Sequence, residues 1–115
     1  MFARLMGLDT IDPATLRRRM EDGSVAIFDV NSLASWRSAR IPGARHLDPE
    51  AFLESDLPVE RDQALVFYCS NPLCRKAPRA ARRAEKMGFR EVRVLSAGIS
   101  GWVSAGLPTE SGGRG

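Results

Sequence analysis

The residues best suited to chemistry lie in one stretch, Tyr68-Cys69-Ser70-Asn71-Pro72-Leu73-Cys74-Arg75-Lys76, which holds both cysteines of the chain. Two cysteines are too few for a disulfide-stapled secreted scaffold, and no second ligand pair stands at the spacing of a structural zinc site. They are therefore reactive thiols or core residues. A thiol must ionise to act as a nucleophile. With an unperturbed pKa of about 8.5, only about 3% is thiolate at pH 7, and a fall of about two units makes the anion the major form. Loop amides and Arg75 are the groups at hand to cause that fall. Lys76, Arg79 and Arg83 follow at helical spacing and could line the approach of an anion, or simply form a solvated helix face. His46, the only histidine, is read as a surface or turn residue, because nothing places it beside the thiol. No metal and no cofactor is expected.

These residues need elements to position them. Ala64-Leu65-Val66-Phe67-Tyr68 is a short apolar run that predicts a buried strand ending at Cys69. Ala77 to Met87 predicts the helix that follows, with Ala80, Ala81 and Ala84 on a small-residue face and Gly88 as its stop. Upstream, Asp12 caps a helix that has Pro13 in its first turn and ends at Gly23. Val25 to Val30 predicts a second strand, with Asp29 near its end accepting loop hydrogen bonds. Ser32 to Arg40 predicts a helix, which Ile41-Pro42-Gly43-Ala44 breaks with a turn. Ala51-Phe52-Leu53 offers a further short helix, Val92 to Leu95 a strand, and Ile99 to Ala105 a last helix closed by Gly106 and Pro108. Strand and helix alternate, which implies an α/β fold with a largely parallel central sheet and helices on both faces.

Size and composition agree with this organisation. The 115 residues suit one domain, expected over 1–110, with a flexible tail at 111–115. Hydrophobic residues make up 43% and charged residues 27%, as in ordinary globular proteins. The net charge of +3 and pI near 9.4 come mostly from arginines interleaved with acids, so composition points to no nucleic-acid partner. No apolar run is long enough to cross a membrane. The start, Met1 to Gly7, meets a charge at Arg4 and lacks the apolar region of a secretory signal, so the cytoplasm is the expected location.

Asp29-Val30-Asn31, Trp36 and Ala39-Arg40-Ile41-Pro42-Gly43-Ala44 resemble the strand-to-helix signature of the rhodanese-like family. Val66-Phe67-Tyr68-Cys69 is similar to the family's strand ending in a catalytic cysteine. Gly88-Phe89, Val92, Val94-Leu95, Ala97-Gly98, Trp102 and Ala105-Gly106-Leu107-Pro108 are similar to its closing region. The resemblance implies the rhodanese fold and a sulfurtransferase. Cys69 would take sulfane sulfur from thiosulfate or another small anionic donor, hold it as a persulfide, and pass it to a thiol, protein or cyanide acceptor. Ser70, Asn71, Leu73, Cys74, Arg75 and Lys76 would bind the substrate through loop amides and charge.

Within this resemblance, five residues separate Cys69 from Arg75, one more than in the usual sulfurtransferase loop. That longer spacing is similar to the related cell-cycle phosphatases and arsenate reductases, so chemistry on a tetrahedral oxyanion is an alternative. Against it, Tyr68 stands where those phosphatases commonly carry histidine, and no acid is obviously placed to protonate a leaving group. Asn31 replaces the family's common arginine, and Ala39-Arg40 its Gly-His. Cys74 is read as a small loop residue packed inward. The alternative is a resolving thiol for Cys69 in a redox protein, which requires their α-carbons within about 7 Å. A non-catalytic binding module is the remaining class, although such modules commonly lose the cysteine.

Overall fold

All five residues of strand β4 (Ala64–Tyr68) are buried, as expected for a central strand covered on both sides. The computed structural model describes Ala3 and residues 7–114, and it places β4 inside a five-stranded sheet. The other strands are β1 (Asp9–Ile11), β2 (Val25–Asp29), β3 (Arg45–His46) and β5 (Val92–Leu95). Their order is β1-β5-β4-β2-β3, and every pairing is parallel. Because side chains alternate along a strand, Leu65, Phe67 and then Cys69 face one core cluster, while Val66 and Tyr68 face the other.

Helices cover both faces. On the Cys69 side lies α3 (Lys76–Lys86), which buries Ala77, Ala80, Ala81 and Ala84. Four alanines let the helix axis come close to the sheet, because no long side chain intervenes. On the Tyr68 side, α1 (Pro13–Glu21) buries Leu16, and α4 (Gly98–Ser104) buries Trp102. The remaining helix, α2 (Leu33–Ser38), leads into the Ile41-Pro42-Gly43-Ala44 turn. There the Trp36 indole donates to the Ala44 carbonyl at 2.9 Å. Caps follow the sequence: the Asp12 carboxylate accepts from Thr15 N at 2.7 Å, and the Ser32 hydroxyl accepts from Ser35 N at 3.1 Å. Among the described residues no helix is long and apolar enough to cross a membrane.

Two regions differ from the sequence expectation. The helix expected at Ala51-Phe52-Leu53 is absent. Phe52 N instead closes a single turn onto Asp48 O at 3.1 Å, and a 3-10 turn follows at Glu54–Asp56. The Asp56 carboxylate caps that turn by accepting from Leu53 N at 2.8 Å. Strands β1 and β3, which the sequence does not announce, form the two sheet edges. Near the carboxyl end, residues 110–113 make hydrogen bonds to the body. Gly112 N donates to Arg37 O at 2.8 Å, and the Arg37 guanidinium donates to Gly113 O at 3.0 Å. Arg40, stacked 3.7 Å over the Trp36 ring, donates to Gly112 O and pairs with Glu110. Most of the stretch Met1–Gly7 read for a secretory signal, and Gly115 of the expected tail, lie outside the described residues.

Candidate active site

Cys69 stands one residue past the carboxyl end of β4, the place where open parallel sheets receive ligands. Its sulfur is buried, at 3% residue exposure, and accepts a hydrogen bond from Ala77 N at 3.4 Å. Ala77 lies in the first turn of α3, where backbone amides have no partner inside the helix. Pro78, the next residue, costs nothing at a position where the missing N–H has no acceptor, and the first α3 bond recorded is Arg79 N to Arg75 O at 3.2 Å. Amide and helix dipole together favour negative charge at the Cys69 sulfur once it is a free thiol.

The loop between β4 and α3 folds back on itself. Asn71 organises it: its carboxamide oxygen accepts from Leu73 N at 2.9 Å, and its carbonyl accepts from Cys74 N at 3.1 Å. This returns Cys74 to the sheet, where it packs against the Cys69-side cluster. The Cys69 and Cys74 sulfurs are bonded, with their α-carbons 6.4 Å apart, inside the span a disulfide permits. Cys74 is thus more than the inward-packed residue the sequence reading preferred; it is the bonding partner of Cys69. The cavity beside the pair, lined by Asn71, Pro72, Cys74, Ala77 and Pro78, has a volume of about 10 Å3. That is room for a single water at most.

The loop rests on α4. Ile99 N donates to Cys69 O at 2.9 Å, and Ser100 N donates to Ser70 O at 3.0 Å. Gly98 makes this approach possible. Its φ is +67°, and a Cβ there would lie 2.6 Å from the Ser70 carbonyl and 2.7 Å from Asn71 N. Sequence reasoning placed Ala97-Gly98 in the family's closing region and missed this platform role. The left-handed turn is legible in a glycine, but the contact with a loop 27 positions upstream is tertiary.

The other expected site residues are only partly assembled. Ser70, Asn71, Arg75 and Lys76 are exposed on the loop and helix start, as is Leu73 at 76%. Lys76 borders a cleft shared with Asn31, His46, Asp48 and Glu50. Arg79 points to the exposed Glu50, 4.0 Å away. Arg83 does not line an approach to Cys69: its guanidinium donates twice to Phe52 O, at 2.9 and 3.1 Å, and stacks over the Phe52 ring. His46 sits in strand β3 with Nε2 2.8 Å from Asn31 O. Among the described residues no group of three or more His, Cys, Asp or Glu could hold a metal ion.

Beneath the site, Tyr68 and Asp29 lock the ends of β4 and β2. The Tyr68 hydroxyl donates to Asp29 Oδ2 at 2.6 Å and accepts from Ile41 N at 3.1 Å, while Asp29 Oδ1 accepts from Asn31 N at 2.8 Å. Both side chains are fully buried. Tyr68→Phe leaves the Ile41 amide without its acceptor and Asp29 Oδ2 without its donor, and is expected to lower stability by about 1–3 kcal/mol in urea unfolding. Burial raises the Asp29 carboxyl above its ordinary value of 3.8, against the lowering effect of the Tyr68 and Asn31 hydrogen bonds. Since the folded value exceeds the unfolded one, this contribution is full below 3.8 and is lost as pH rises through the folded value. Unfolding across the carboxylate range should therefore show the wild type losing stability relative to Asp29→Asn as pH rises. The opposite slope would refute the assignment.

Most of the chain that builds this sheet and loop matches a family model. The model for the rhodanese-like domain matches residues 12–105. The chain belongs to this family. Its solved structural relatives include the BH2092 protein of Bacillus halodurans, with a TM-score of 0.81 and 23% identity over 90% of this chain and 77% of that one. A thiosulfate sulfurtransferase from Pseudomonas aeruginosa aligns with a TM-score of 0.79 and 31% identity, over 91% of this chain and 20% of that one. Among curated relatives, an HTH-type transcriptional regulator of Mycobacterium tuberculosis, Rv0324, is 36% identical over 90% of this chain, which spans 46% of the regulator's length. The thiosulfate sulfurtransferase GlpE of Vibrio cholerae is 26% identical over 88% of this chain and 93% of its own. This rhodanese-like domain thus has distant sulfurtransferase relatives and also a relative named as a transcriptional regulator.

Proposed function

We propose that this rhodanese-like domain is a sulfurtransferase that moves sulfane sulfur from thiosulfate or a persulfide donor, through a persulfide on Cys69, to a thiol or cyanide. The observation that carries this reading is the Cys69 sulfur at the end of β4 with the Ala77 amide of α3 directed at it. Reduction of the Cys69–Cys74 bond frees the nucleophile. The Cys69 thiolate then attacks the outer sulfur of thiosulfate, the sulfur–sulfur bond of thiosulfate breaks, and sulfite leaves with the bonding electron pair. The resulting persulfide anion is held by amides at the start of α3, and Arg75 and Lys76 at the helix start attract the dianionic donor. A thiolate or cyanide acceptor then takes the outer sulfur and returns Cys69 as a thiolate.

The loop favours sulfur over phosphate or arsenate. Phosphate or arsenate chemistry bonds the tetrahedral centre to Cys69 directly and needs several amides converging on its oxygens, whereas those of Leu73 and Cys74 are engaged by Asn71. The test is competition among substrates. Reduced protein supplied in parallel with thiosulfate plus cyanide, an aryl phosphate, or arsenate plus thiol is expected to turn over only the first, yielding thiocyanate. Turnover of the phosphate ester or of arsenate, with none of thiosulfate, would reverse the reading.

A further inference from the structure

We infer that Cys74 is a second catalytic residue, a resolving thiol that cleaves the Cys69 persulfide and releases its outer sulfur as sulfide. This rests on the persulfide reading above. Two observations carry it. The Cys74 sulfur is placed on the Cys69 sulfur itself, with the α-carbons 6.4 Å apart. The Asn71 turn holds Cys74 in that position by two hydrogen bonds, to Leu73 N and Cys74 N, so the pairing is built into the loop rather than reached by a free side chain.

The bond between Cys69 and Cys74 selects the atom attacked. A persulfide offers an inner and an outer sulfur. Attack on the outer sulfur would move it to Cys74 and leave no bond between the two residues. Attack on the inner sulfur requires the position observed. In that step the Cys74 thiol gives its proton to the outer sulfur and bonds to Cys69 Sγ, the bond between Cys69 Sγ and the outer sulfur breaks, and the outer sulfur leaves with the electron pair as hydrosulfide. The cysteines are oxidised to the disulfide seen in the structure, and the sulfane sulfur is reduced to sulfide. An external dithiol then returns the pair to thiols. Over one cycle, thiosulfate and a dithiol give sulfite, hydrogen sulfide and the disulfide of that dithiol. The domain then acts as a dithiol-dependent thiosulfate reductase, for which the disulfide is an intermediate rather than a structural staple. Loop exposure agrees: Ser70 to Leu73 stand in solvent, where a dithiol can reach the loop that carries Cys74.

A single-turnover experiment tests this. Wild-type protein and the variants Cys74→Ser and Cys74→Ala are reduced, freed of reductant without oxygen, and exposed to thiosulfate. Intact mass and released sulfide are then followed together. Wild type is expected to release one sulfide per chain and lose two hydrogens, whereas both variants gain one sulfur atom and release none. Adding dithiothreitol to wild type should then restart sulfide production. If wild type instead keeps its extra sulfur as long as the variants do, or carries it on a Cys74 peptide, the resolving role is overturned while the Cys69 persulfide stands. If neither wild type nor variants gain or release sulfur, the persulfide reading itself fails.

Discussion

Replacement of Cys69 by serine is expected to reduce thiosulfate-dependent sulfur transfer by about 10^3-fold or more. The hydroxyl stays protonated at neutral pH and cannot form a sulfur–sulfur bond, so the covalent route closes instead of slowing. The substitution is also gentle. Serine matches cysteine closely in shape, and the Ala77 amide, 3.4 Å from Sγ, retains an oxygen acceptor. Far-ultraviolet circular dichroism and the urea midpoint of the variant, compared with reduced wild type, should show an intact fold. Transfer that survives at more than a tenth of the wild-type rate in a folded variant would mean that another group carries the sulfur.

Gly98→Ala is expected to have the second largest effect, although residue 98 touches neither sulfur. Its Cβ would lie 2.6 Å from the carbon and oxygen of the Ser70 carbonyl and 2.7 Å from Asn71 N, all backbone atoms that no rotamer change can move aside. The φ of +67° adds strain for any residue with a side chain. Relief requires the loop to lift from α4, which breaks the support that Ile99 N and Ser100 N give to Cys69 O and Ser70 O. A displacement of about 1 Å at a nucleophile can cost about 10^2-fold in rate, and the clash should lower stability by about 1–3 kcal/mol. Transfer kinetics and urea unfolding of Gly98→Ala read both. Unchanged kinetics would show that the loop is positioned without α4.

What the sequence made legible was governed by how local each signal is. The run Ala64 to Tyr68 reads as a strand because all five residues are buried in a sheet covered on both faces, and the capping residue Asp12 announces α1 by a signal just as local. Edge strands β1 and β3 have three and two residues, too short for any alternation to register, and they exist only through pairing with β5 and β2. Ala51-Phe52-Leu53 has a helix-like composition, but Phe52 is pulled into the core and its carbonyl is taken by Arg83. The same bond explains why Arg83 takes neither of the roles its spacing allowed, anion approach or solvated face: spacing along α3 puts it in line with Lys76 and Arg79, while a neighbouring segment captures it.

Cys69 was legible as the residue after a strand and before a helix. Its bond to Cys74 was not, because a spacing of five residues is compatible with many loop paths and only the Asn71 turn brings the sulfurs together. The pair Tyr68 and Asp29 shows the same limit. Each sits at a strand end in the sequence, yet their hydrogen bond joins residues 39 positions apart.

The most direct test of a sulfur-carrying Cys69 follows the atom itself. Reduced wild type and Cys69→Ser are mixed without oxygen with thiosulfate labelled in its outer sulfur, quenched in acid within the first turnover, and analysed by mass spectrometry for protein-bound label and released sulfide. Label on the Cys69 peptide or in released sulfide, matched by an equal amount of sulfite in wild type and absent from Cys69→Ser, is the predicted result. Label in neither place with wild type, or the same amount with Cys69→Ser, would contradict the account.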